Sequence, residues 1–69
     1  MRSSSPHIPR KRLSRSQRRE AIVEAAMRLF SRRGYRGATT RDLAREAGIT
    51  EVTLFRHFPT KEDLFGAVI

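Results

Sequence analysis

Apolar residues return at Ile22, Ala25, Ala26, Leu29 and Phe30, spaced i, i+3, i+4, i+7 and i+8. That is a stripe down one face of a helix. Ser14, with Gln17 three residues on, has the capping-box spacing. Arg28, Arg32 and Arg33 crowd the far end, where positive charge suits the dipole, and Gly34 stands as a stop. These features predict a long helix over 14–33, with Ile22, Leu29 and Phe30 in the core. A connector containing Gly37 follows, in which Tyr35 lays its ring on the core and keeps its hydroxyl near water.

Two shorter patterns come next. Leu43, Ala44 and Ala47 share a face of a helix over 40–47, with Thr39 as N-cap and Asp42 three residues later. The Thr39/Asp42 spacing resembles a capping box with a carboxylate in place of the usual Glu or Gln. Gly48 can adopt the left-handed conformation that ends a helix. Thr50 caps a second short helix over 51–57, in which Leu54 points to the core together with Phe58 and with Ile49 of the turn. Phe55 lies about 100° around from Leu54 and belongs either to the core or to an outward groove-facing side. Pro59 and Thr60 start a further helix over 61–69 carrying Leu64, Phe65 and Val68, with Asp63 three residues after its cap. It reaches Ile69 with no capping residue, which points to a segment of a longer protein. The expected fold is all-α: a three-helix head plus the start of a fourth helix. Its middle, helix, short turn with glycine, helix, is the helix-turn-helix arrangement.

Charge changes this picture. The chain of 69 residues carries a net charge of +8. Arg2, Arg10, Lys11, Arg12, Arg15, Arg18 and Arg19 all precede the first acidic residue, Glu20. Beyond that point basic and acidic residues nearly balance. Residues 1–13, rich in Ser, Pro and Arg, have too little apolar content to order themselves and read as a basic N-terminal arm, with 14–69 as the folded domain. Arg10, Lys11 and Arg12 are its densest cluster, suited either to a nucleic-acid groove or to plain solvation.

Other classes fit poorly. The cysteine count is 0, and the two histidines, His7 and His57, have no metal-ligand spacing, so no metal or cofactor is expected. Glu62 and Asp63 are adjacent and diverge on a helix, which disfavours a paired-carboxylate enzyme. No apolar run approaches the ~20 residues of a membrane span, and no signal peptide is visible; a cytoplasmic protein is expected. A non-specific basic module for nucleic acid or anionic membranes is the alternative, but the apolar stripe is better used as core than as a membrane face.

Taken together, the segments AIVEAAMRLFSRRGYRGATTRDLAREAGIT and EVTLFRHFPTKEDLFGAV resemble the N-terminal DNA-binding domain of TetR-family transcriptional regulators over about residues 20–68. The resemblance implies a recognition helix in the major groove and a fourth helix leading to a C-terminal ligand-binding, dimerising domain outside this sequence. It further implies repression as a homodimer on a palindromic operator, released by a small effector; the head alone is expected to be a monomer that meets one half-site. By family pattern Thr39, Thr40, His57 and Lys61 touch phosphate. For Lys61 a solvated surface role competes, and for His57 a structural one. Two departures stand out: the family often has Gly where Val52 stands and usually Tyr where Phe55 stands. Phe55 therefore lacks the hydroxyl and brings only its ring to the DNA backbone. Base-reading positions are expected at Arg41, Glu51, Val52 and Thr53. Arg41 can bond guanine, and Val52 and Thr53 can pack a thymine methyl. Glu51 either accepts from cytosine or simply favours the helix dipole.

Overall fold

The structure is a computed structural model and describes residues 13–69. The arm residues Arg10, Lys11 and Arg12 lie outside the described residues. Four helices and no strand occur among the described residues: α1 (Arg15–Gly37), α2 (Thr40–Ala47), α3 (Glu51–His57) and α4 (Lys61–Val68). All-α architecture and the positions of the short helices agree with the hydrophobic pattern.

Each helix begins on a hydroxyl. Ser14 Oγ accepts from the Gln17 amide at 3.1 Å, and Gln17 Oε1 accepts from the Ser14 amide at 2.9 Å, a complete capping box. Thr39, Thr50 and Thr60 likewise accept from the amides of Asp42, Thr53 and Asp63. The Thr39 arrangement is only half a box, however. The Asp42 carboxylate turns away from the cap to accept from Arg33 at 2.8 Å, because a full guanidinium outcompetes one backbone amide.

Gly34 interrupts the long helix where the sequence placed its stop, and a further helical turn that the sequence reading left as a connector follows it. Its φ of 75° and ψ of 171° break the helical ladder, but the chain resumes one helical turn through Gly37 before stopping at Ala38. The connector is thus a kinked helical turn. It swings Tyr35 back over the core, where its ring stacks on Phe30 at 5.8 Å and meets the edge of Phe65 at 5.0 Å. Phe30 and Phe65 complete the triangle at 5.2 Å. This aromatic trio joins α1 to α4.

Gly48 ends α2 in the left-handed region (φ 73°, ψ 30°). Its amide bonds the Arg45 carbonyl at 3.0 Å, while the Ile49 amide bonds that of Ala44 at 2.9 Å. This is the Schellman geometry, and Ile49 closes it by packing on the core. At the end of α3, Phe58 leaves helical geometry (φ −136°, ψ 96°) because Pro59 follows and excludes it from the α region.

The core is continuous across all four helices: Ile22, Ala26, Leu29 and Phe30 from α1, Leu43 and Ala44 from α2, Leu54 and Phe58 around α3, and Leu64 from α4. Ile22, Leu29, Leu43, Leu54 and Leu64 are each at most 2 % exposed, so every helix contributes at least one fully sealed side chain. No polar residue is buried among the described residues. On the outer seam Arg28 and Arg32 share Glu46 at 3.3 and 3.2 Å, which with Arg33–Asp42 ties the end of α1 to α2. The two arginine side chains hold the Glu46 carboxyl below its ordinary range.

Candidate nucleic-acid interface

Two short helices joined by Gly48, Ile49 and Thr50 present an outer edge. Thr40 Oγ1 donates to Glu51 Oε2 at 3.0 Å, so the first turn of α2 is fastened beside the first turn of α3. Around this link Arg41, Glu51 and Val52 are exposed and Thr53 is half-exposed. Val52 is 64 % exposed, which rules out a core role for that aliphatic side chain. Thr50 Oγ1 donates to Thr53 Oγ1 at 3.1 Å, so the Thr53 hydroxyl proton remains available to another acceptor. Glu51 has a defined partner in the protein itself, and its carboxylate anchors the turn as well as lying at the helix start.

Phe55 is 40 % exposed, which places it on the outward side of α3 and not in the core. Thr39 is exposed and Thr40 half-buried, both at the start of α2. Lys61 is only half-exposed, and its ammonium sits 4.4 Å from the centroid of the Tyr35 ring. A cation on a π face is a fixed cation, so Lys61 is positioned rather than freely solvated. Partial burial, with the nearby Glu62 carboxylate, raises the Tyr35 phenol above its usual range.

His57 is half-buried at the opposite end of α3 from Val52. It lines an open cleft of about 540 Å³ with Arg15, Arg18, Gly48, Ile49, Thr50, Thr53 and Arg56. Desolvation first, then the charges of Arg15, Arg18 and Arg19, push its pKa down. The sequence reading did not single out Arg15, Arg18 or Arg56. A signal for the first two existed. Carrying the α1 stripe backward from Ile22 by its own period lands on Arg19, Arg18 and Arg15. These arginines therefore continue the core-facing stripe past the end of the core, where it meets α3. Arg19 confirms the geometry, with its guanidinium 4.8 Å from the Phe58 ring centroid.

The described residues of the predicted site, apart from the outward-facing Phe55, thus fall in three places. Thr39, Thr40, Arg41, Glu51, Val52 and Thr53 gather around the Thr40–Glu51 link. His57 faces the arginine cleft, and Lys61 stands on Tyr35 at the start of α4. Among the described residues no cluster of His, Cys, Asp and Glu suits a metal ion, and no helix is long and apolar enough to cross a membrane.

Three packed helices, the second and third set by a left-handed glycine turn and offering an exposed edge, define a helix-turn-helix module. The chain belongs to the tetR family of bacterial regulatory proteins, whose family model matches residues 22–68. It is 45 % identical over 53 residues to the HTH-type transcriptional repressor AcnR of Corynebacterium diphtheriae, covering 77 % of this chain and 28 % of that protein. It is 39 % identical over 61 residues to the HTH-type transcriptional regulator LuxR of Vibrio harveyi, covering 88 % of this chain and 30 % of the relative. Among solved structures, a crystal structure of a HlyIIR mutant protein superposes with a TM-score of 0.76 at 36 % identity, covering 80 % of this chain and 30 % of that one. The chain therefore spans under a third of the length of these relatives.

Proposed function

We propose that this chain binds double-stranded DNA sequence-specifically, with α3 in the major groove, as the head of a transcriptional regulator. The observation that carries this reading is the Thr40–Glu51 link. It brings Arg41 and Val52, one on each helix, to a common exposed edge suited to base contacts. Thr39, Thr40, Phe55, His57 and Lys61 flank that edge and serve as backbone contacts, which position the head without reading sequence. The basic N-terminal segment, with Arg10, Lys11 and Arg12, adds electrostatic attraction along the duplex.

In the full-length protein this head works as one half of a homodimer on a palindromic operator, and a small effector bound elsewhere releases it. Support for repression comes from AcnR, which is named a repressor. Tethering two heads raises the effective concentration of the second at its half-site, so a single head binds weakly.

The test is selection of bound duplexes from a random pool by an artificially dimerised form. Recovery of an inverted repeat is expected. A pool that stays random after selection, or equal retention on anionic vesicles, would overturn the proposal in favour of a non-specific basic module.

A further inference from the structure

The arginine cleft adjoins the base-reading edge, sharing Thr53 with it, and its chemistry points to a second recognition element. Its walls come from two helices far apart in sequence: Arg15 and Arg18 from the first turns of α1, Thr53, Arg56 and His57 from α3. The turn closes the floor with Gly48, Ile49 and Thr50. Three guanidinium groups, two hydroxyls and an imidazole line it, and no carboxylate does. Guanidinium forks match the geometry of phosphate oxygens, and the Thr53 hydroxyl, whose proton is not used by Thr50, can donate to them. None of the three arginines forms a salt bridge among the described residues, unlike Arg28, Arg32 and Arg33 at the other end of α1.

We propose that this cleft is a phosphodiester site, filled by a backbone phosphate of the bound duplex, with Arg15 and Arg18 of α1 as its principal clamps and His57 as its proton-linked member. The inference rests on the DNA-binding reading above and adds to it both a site and a pH dependence.

The proton linkage follows from what surrounds His57. From α1 it faces Arg15, Arg18 and Arg19; on its own helix Arg56 is its neighbour; the turn brings only Gly48, Ile49 and Thr50, none of which titrates. Every charge around the ring is positive, so in the unliganded chain the neutral imidazole is favoured. An entering phosphate reverses that field. The imidazole then gains a proton from solvent and becomes a second donor to the anion, so binding takes up a proton. Affinity accordingly rises as pH falls through the interval between the free and the bound pKa of His57.

The experiment uses a short random-sequence DNA duplex at low salt, titrated calorimetrically in buffers of different ionisation enthalpy, with the salt dependence measured in parallel. For the unaltered chain, binding heats that vary with buffer and report proton uptake near neutral pH are expected. The Arg15→Gln/Arg18→Gln variant should bind at least about tenfold more weakly, with the slope of log K against log salt reduced by about 2. Its proton uptake should vanish. Circular dichroism melting checks that the variant is folded, which is expected because neither Arg15 nor Arg18 is buried and both lie beyond the sealed core. His57→Gln should lose the uptake and the rise of affinity at lower pH, while reducing the salt slope by less than the double arginine variant does. A variant that binds the duplex with undiminished slope and uptake overturns the cleft site and leaves the helix-turn-helix reading standing. Weaker binding without buffer-dependent heats in the unaltered chain also overturns it, since the arginines would then act only as diffuse charge. Failure of the unaltered chain to bind any duplex removes both proposals.

Discussion

Thr40 and Glu51, eleven positions apart in sequence, are joined by a 3.0 Å hydrogen bond from the threonine hydroxyl to the carboxylate. The bond fastens the start of α2 beside the start of α3, at the exposed edge proposed to meet DNA. It also places a negative charge beside a surface meant for a polyanion. Glu51→Ala is expected to lower stability by less than about 1 kcal/mol, since the bond is exposed. The same change should strengthen binding to random duplex and weaken discrimination between sequences. Chemical denaturation and competition binding measure the two effects. Weaker binding to all duplexes alike would mean that Glu51 does not oppose the phosphates.

Arg41 stands exposed beside that bond, on the second residue of α2. Removing it by Arg41→Ala should cost specific binding about 1–3 kcal/mol and relax preference at one base pair. The comparison is between a selected site and scrambled DNA. An equal loss on both would reassign Arg41 to the phosphates.

The two positive-φ glycines should respond differently to alanine. Gly48 is in the left-handed α region, which an alanine can enter at a cost of about 1–2 kcal/mol. Gly34 combines φ 75° with ψ 171°, a region closed to residues with a Cβ. Neither added methyl would meet an atom within 4 Å, so the penalty is backbone strain alone. Gly34→Ala should therefore lower the melting temperature more than Gly48→Ala does, and Gly48→Asn should be milder than either. Thermal melts of the three variants give the order directly.

Acid should loosen the seam between α1 and α2. Arg32 and Arg28 hold the Glu46 carboxyl below its ordinary value of 4.5 in the folded chain. A group lowered on folding contributes stability that is present above its unfolded pKa and lost as pH falls through its folded one. The melting temperature should therefore drop as pH is taken below about 4.5, and that part of the drop should be missing in Glu46→Gln. His57 has the same sign at a higher pH: protonation below its ordinary value of 6.5 works against the fold. An acid profile for Glu46→Gln that matches the unaltered chain would show that the seam contributes nothing.

Much of this was legible from the chain alone, and the reasons are local. The apolar stripe from Ile22 to Phe30 and the four hydroxyl caps depend on spacing within a few residues, and spacing is written in the sequence. What spacing does not carry is competition between partners. Asp42 has the position of a capping-box acid, yet Arg33 takes its carboxylate. Gly34 reads as a terminator, yet the chain resumes a helical turn in which Tyr35 stacks on Phe30 and packs edge-on with Phe65. Lys61 and Tyr35 are widely separated in the chain and meet only once α4 has docked. Arg15 and Arg18 follow the Ser14 cap and so belong to the predicted helix, but they sit in a run of basic residues whose composition says nothing of a face. Only the backward extension of the helical period shows which side of the helix they occupy.

Because Arg28, Arg32 and Arg33 are matched by Glu46 and Asp42 while Arg15 and Arg18 have no such partners among the described residues, the long helix is electrically uneven along its axis. The two ends of this gradient are separated by roughly 25 Å, more than the Debye length at physiological salt. A duplex approaching in solution thus exerts a torque as well as a pull. Such a torque would turn the Arg15–Arg18 end of α1, and α3 beside it, toward the duplex before contact and so favour productive collisions. Added salt should then slow association twice over, by weakening the attraction and by erasing the alignment.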